Sequence, residues 1–97
     1  MKNKIENIVF ESIKDLNELL NDENKLDLNE NEKLLDSEGK IDSIDIVNLV
    51  SIIEDKIFEE FGKSPIIVSE RAFSRKDSPF KDVKTIIIYL TELMEGE

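Results

Sequence analysis

Apolar residues return along this chain in three blocks, each at steps of three and four, the spacing of one face of a 3.6-residue helix. In the first block Ile5, Ile8, Val9, Ile13, Leu16, Leu19 and Leu20 form the stripe, and Glu6, Glu11, Lys14, Asp15 and Glu18 fall largely off it. A helix over about residues 3–20 is predicted, stopping at Asn21-Asp22, where polar side chains compete for backbone hydrogen bonds. In the second block Ile46, Val50, Ile53 and Ile57 line one side, with Leu49 and Phe61 flanking. The opposite side carries Ile44, Asn48, Ser51 and Asp55, with Val47, Glu54 and Phe58 on its shoulder. This predicts a helix over about 43–61, capped by Asp42, with Asp45 in the favourable first turn and Gly62 as its end. In the third block Val83, Ile86, Ile87, Leu90, Leu93 and Met94 predict a helix over about 82–94, capped by Asp82.

The segments between the blocks lack a sustained period. Residues 21–42 are rich in Asn, Asp, Glu and Lys, with Leu26, Leu28, Leu34 and Leu35 scattered through them. Long ordered loops are uncommon without a purpose, and these leucines are expected to pin the loop across the helices, with a turn at Gly39. After Gly62, Pro65-Ile66-Ile67-Val68 is too short and punctuated for a strand, Ser69 can cap a short helix over about 69–74, and Ser78-Pro79 makes a turn. Phe58, Phe73 and Phe80 are read as packing anchors, Tyr89 as a partly exposed bundle residue and Met94 as core or fraying terminus. Three long helices and a short one make a small all-α bundle, a single domain over residues 1–97.

Composition narrows the chemistry. There is no Cys and no His in the 97 residues, which removes disulfide scaffolds, thiol nucleophiles, imidazole bases and ordinary zinc sites. Twenty-three acids against 13 Lys and Arg give a net charge of −10, which opposes both nucleic acid and an anionic membrane surface as partners. The charge is uneven: residues 36–62 hold eight acids and two lysines, and residues 63–84 hold six cations and three acids. Such runs serve either as solvated faces or as docking surfaces for partners of opposite charge. Arg71, Arg75 and Lys76 are read as solvated. The N-terminus lacks the apolar core of a secretory peptide and the longest apolar run is Ile86-Ile87-Ile88-Tyr89-Leu90, so a cytoplasmic protein is expected.

One junction carries more information than charge. In Gly39-Lys40-Ile41-Asp42-Ser43-Ile44-Asp45 a long loop delivers a serine to the first turn of a helix, beside an outward apolar residue. Asp42 and Ser43 also have the plain use of capping that helix. In this context Asp42-Ser43-Ile44-Asp45, with the continuation Ile46-Val47-Asn48-Leu49-Val50-Ser51-Ile52-Ile53-Glu54, resembles the phosphopantetheine-attachment site of acyl carrier proteins and the second helix that it opens. The resemblance extends over most of the chain: helix, long leucine-pinned loop, Asp-Ser helix, short helix and terminal helix is the carrier-protein order.

The resemblance implies a four-helix bundle of the acyl-carrier-protein type. It implies that a phosphopantetheinyl transferase attaches the phosphopantetheine arm of coenzyme A to the Ser43 hydroxyl as a phosphodiester, and that the arm's thiol then carries an acyl or aminoacyl group as a thioester. A chain without Cys, His or catalytic residues of its own fits such a role, because the prosthetic group supplies the sulfur. The same resemblance implies docking on basic patches of partner enzymes through Ile44, Val47, Asn48, Ser51, Glu54 and Asp55, and an apolar interior that shelters part of a short acyl chain. Three departures set this chain apart from carriers of ordinary fatty-acid synthesis. Asn48 stands where an acid is frequent, Ser51 where an apolar residue is frequent, and the basic stretch after Gly62 is longer. Its Ser78-Pro79-Phe80 turn looks like that of specialised stand-alone carriers, which implies a dedicated adenylating ligase or transferase as loader and further acyl-processing enzymes downstream. A monomer is expected.

Two other readings compete. As a calcium loop with Gly39 at the obligatory glycine, Asp36 and Glu38 would be ligands, but Leu34 would stand at position one and Asp45 at position twelve, so no metal site is expected. An acidic helical protein–protein adaptor without a prosthetic group stays open, because every residue of the Asp-Ser motif also has a local structural use.

Overall fold

In the computed structural model, which describes residues 2–20, 22, 25–34, 43–65, 67 and 80–96, the three apolar stripes are three helices. These are α1 (Lys2–Asn17), α2 (Ser43–Phe61) and α3 (Val83–Glu95). Among the described residues there is no strand, only an isolated antiparallel bridge between Lys33 and Asp82. The expected short helix at 69–74, the turns at Gly39 and Ser78-Pro79, the Asp42 cap, Leu35, Phe73 and Arg71, Arg75 and Lys76 lie outside the described residues.

The stripes bury as their spacing requires. Ile5, Val9, Ile13 and Leu16 of α1 meet Ile46, Val50, Ile53 and Ile57 of α2 and Val83, Ile86, Ile87 and Leu90 of α3 in one apolar core. Helix α1 is the element against which both others pack. Ser12 is fully buried within this stripe, and its hydroxyl donates to the Ile8 carbonyl at 2.7 Å, so the polar atom is satisfied inside its own helix. Gly62 ends α2 with φ +69° and donates its N–H to the Phe58 carbonyl at 2.8 Å. That left-handed conformation is the one that glycine alone adopts without a Cβ penalty.

Helix α1 ends three residues earlier than its stripe predicts. After Asn17 the chain tightens through bonds of the i→i−3 kind, Leu19 N–H to Leu16 carbonyl at 2.8 Å and Leu20 N–H to Asn17 carbonyl at 3.2 Å. Leu20 still packs on the core in this turn, whereas Leu19 is 73% exposed. A tight terminal turn keeps roughly the same spacing as a helix, so periodicity cannot tell the two apart.

What fixes the end of α1 is Asn17. Its side-chain amide donates to the Leu26 carbonyl at 2.9 Å and accepts from the Leu26 N–H at 2.8 Å, holding the loop backbone on both sides of one residue. Leu26 is thereby carried into the core. A turn follows, with Asn31 N–H on the Asn29 carboxamide oxygen at 2.8 Å, and Leu28 points outward, not inward as a pin. The loop then reaches α3, where the Leu34 N–H donates to the Lys81 carbonyl at 2.8 Å and Leu34 is fully buried.

This contact also completes α3. The first N–H groups of any helix lack a partner within it. Here the Val83 N–H donates to the Glu32 carbonyl at 3.1 Å and the Lys84 N–H to the Glu30 carbonyl at 2.9 Å. The Thr85 N–H and hydroxyl both donate to Asp82 Oδ1, at 2.8 and 2.6 Å, as the sequence reading of Asp82 as cap requires. Beyond α2, Pro65 and Ile67 are buried, and the Ile67 carbonyl accepts the Tyr89 hydroxyl at 3.0 Å. Phe80, fully buried, meets the Tyr89 ring edge-on at 6.0 Å.

Ion pairs tie α1 to α2 at the surface. Lys4 meets Glu60 at 3.2 Å, and Lys56 meets Asp15 at 2.9 Å. The hydrogen bond to Asp15, helped by the charges of Asp15, Glu11 and Glu59, raises the Lys56 pKa above its ordinary 10.5 against a smaller opposing effect of burial.

Asn17→Ala removes both bonds to Leu26 and is expected to destabilise the fold by about 1–3 kcal/mol in urea unfolding, whereas Leu28→Ser stays within about 0.5 kcal/mol of the parent. Because the Lys56 pKa is raised on folding, its contribution is fully present below pH 10.5 and is lost as pH rises through the folded-state value. The stability difference between the parent and Lys56→Met therefore stays level from neutral pH towards 10.5 and narrows above it, as measured by denaturant midpoints across that range.

Candidate functional site

The outward side of α2 is where the residues singled out in sequence come together. Burial of Ile46, Leu49, Val50, Ile53 and Ile57 against the core fixes the rotation of the helix. With that rotation set, Ile44 is 70% exposed, Val47 is nearly half exposed, and Asn48, Ser51 and Asp55 lie in solvent, with Glu54 half-buried beside them. The six expected docking positions thus share one face, from the first turn of α2 to its middle. Ser43 is the first residue of the helix. Asp45, half-buried, places an acid in the first turn, where the helix dipole favours negative charge. Asp42 lies outside the described residues.

Phe58 departs from its expected role. It is 59% exposed, not a packing anchor, and sits with Ser51, Glu54, Asp55 and Ser64 around a shallow open groove. The signal that locates it was already in the helical angle: Phe58 falls on the shoulder of the outward side, and its aromatic character alone suggested the core.

The electrostatics of this face follow from the sequence of α2. Ser43–Phe61 contains five acids and one cation, Lys56, and that cation bonds Asp15 of α1. Among the described residues no cation lines the groove around Phe58. A second depression, between α1 and α2, is lined by Lys4, Asn7, Glu11, Lys56, Glu59 and Glu60, among others, and two of these residues are joined by the Lys4–Glu60 pair.

Among the described residues no group of three or more acidic, His or Cys side chains is placed to hold a metal ion. Leu34, which would be the first ligand of a calcium loop, is buried in the core, and Asp36, Glu38 and Gly39 lie outside the described residues. No described helix is long and apolar enough to cross a membrane. What the site offers is a helix start with a serine in first position, above an exposed apolar and acidic face. The chain matches no protein-family model, no curated protein and no solved structure among those compared.

Proposed function

We propose that the chain is an acyl carrier protein, with phosphopantetheine attached to Ser43 and partner enzymes recognising the outward face of α2. The observation that carries the reading is the placement of Ser43 as the first residue of α2, followed along one exposed face by Ile44, Val47, Asn48, Ser51, Glu54 and Asp55. The finer fold belongs to the same proposal: a four-helix carrier bundle whose short helix occupies about 69–74.

The residues at the start of α2 suit the group. The backbone N–H groups of a helix start and the positive end of its dipole favour the negative charge of a phosphodiester there. The neighbouring carboxylates would repel a freely diffusing phosphate, but a covalent ester tolerates that repulsion. Exposed Ile44 gives a transferase an apolar contact next to the serine. When bound, the arm supplies a thiol on which acyl groups travel as thioesters. The chain's own part is to hold the attachment point at a helix start, to set the docking face at a fixed rotation along that helix, and to present charge that a basic enzyme surface recognises. A phosphopantetheinyl transferase and a dedicated acyl-loading ligase or transferase are the partners this implies.

The exposed apolar and acidic face would serve equally an adaptor without a prosthetic group, and one experiment separates the two. The protein is incubated with coenzyme A, magnesium and a broad-specificity phosphopantetheinyl transferase, beside Ser43→Ala, and intact masses are measured. A gain of one phosphopantetheine on the parent alone is expected. No gain on a folded parent, with the transferase shown active on another carrier, would leave the adaptor.

A further inference from the structure

The carrier reading uses α2 from its start to its middle. The exposed face continues further, and its far end is the less expected part. Residues 44, 47, 51 and 58 recur at steps of three, four and seven, so the ring of Phe58 continues the stripe begun by Ile44 and Val47. Phe58 lies about 22 Å along the helix from Ser43, at 1.5 Å per residue. A side chain of this size is normally drawn into the core, and this one stands 59% exposed at the edge of a groove that it forms with Ser51, Glu54, Asp55 and Ser64.

Charge identifies the kind of occupant. Among the described residues the groove is lined by two acids and no cation, and the one cation of α2 is engaged with Asp15. A second copy of the chain presenting the same face would bring acid against acid, within a protein of net charge −10. An aromatic centre with an acidic border matches the anatomy of a recognition site whose partner is apolar in the middle and basic around it.

We propose that Phe58 is the apolar anchor of a second docking point, which inserts into a recess of a partner protein bordered by Lys or Arg while Glu54 and Asp55 meet those cations. This rests on the carrier reading in taking the outward side of α2 as the docking face, and it does not require Ser43 to be modified. Two contacts so far apart along one helix fix the orientation of the partner as well as its position, so that an enzyme lacking the distal recess would engage the start of α2 but lose register. Partner choice would then be set at the end of the helix remote from the attachment serine.

The test uses the isotope-labelled full chain, titrated with a synthetic amphipathic Leu/Lys peptide and with its Leu/Glu counterpart while amide shifts are followed. The Leu/Lys peptide is expected to move the amides of Ser51, Asp55, Phe58 and Ser64, and to bind about tenfold more weakly to Phe58→Ser, the loss expected for an aromatic hot spot. Ile88→Ser, which alters an exposed apolar residue of α3, serves as the control and should bind as the parent does. Equal binding by Phe58→Ser with an unchanged thermal melt, shifts centred on Glu11 and Glu60 instead, or equal binding of the Leu/Glu peptide would overturn the proposal. So would concentration-dependent shifts of Phe58 without peptide, which would assign the face to a second copy. Loss of Ser43 modification with peptide binding intact would remove the carrier reading and leave this docking point standing.

Discussion

The start of a helix presents N–H groups that its own backbone cannot satisfy, and in this protein the start of α3 is satisfied by a loop far upstream in sequence, between α1 and α2. Glu30 and Glu32 give their carbonyls to Lys84 and Val83, and Lys81 returns its carbonyl to Leu34. The remaining arrangement depends on that exchange. It lets Leu34 enter the core with its backbone N–H paired, which a buried loop residue requires. Together with the Asn17 clamp on Leu26, it turns a polar stretch with no regular structure into a brace between the end of α1 and the start of α3. Helix α2, which follows this brace in sequence, packs on α1 with its outward side left clear.

How much of this was legible in the sequence differs from element to element, for physical reasons. The buried line Ile46, Val50, Ile53 and Ile57 was readable because rotation of a helix is set by its apolar face, and the sequence writes that face directly. Asp82 was readable because a cap acts on a residue three positions away. Asn17 was not, since its partner lies nine residues downstream and no local period records a side-chain clamp on a remote backbone. Leu19 and Leu28 show the same limit from the other side. Leu19 keeps the helical spacing but stands in a tight turn, and Leu28 stands in a loop with no period, so for both only the path of the backbone decides which way they face.

The candidate site divides along a similar line. The shared exposure of Ile44, Val47, Asn48, Ser51 and Asp55 follows from where the core side of α2 points, and was therefore legible. Phe58 lies outward because its helical angle, not its residue type, decides which side it takes. Aromatic side chains are usually buried, so one that a well-determined rotation puts outside carries more information than a buried one. The proposed link from Ser43 to a prosthetic group rests on the resemblance of Asp42-Ser43-Ile44-Asp45 to a carrier-protein attachment site, and no packing argument could have supplied it.

The brace between loop and helix also bears on how the molecule breathes. In an ordinary helix the first amides exchange with solvent by fraying, independently of the rest of the fold. At the start of α3 the amides of Val83 and Lys84 are held by the loop carbonyls, so they become accessible only when residues 30–34 detach. Loop and first helical turn therefore open as one cooperative unit, and deuterium uptake at those two amides reports on the loop as much as on the helix in which they lie.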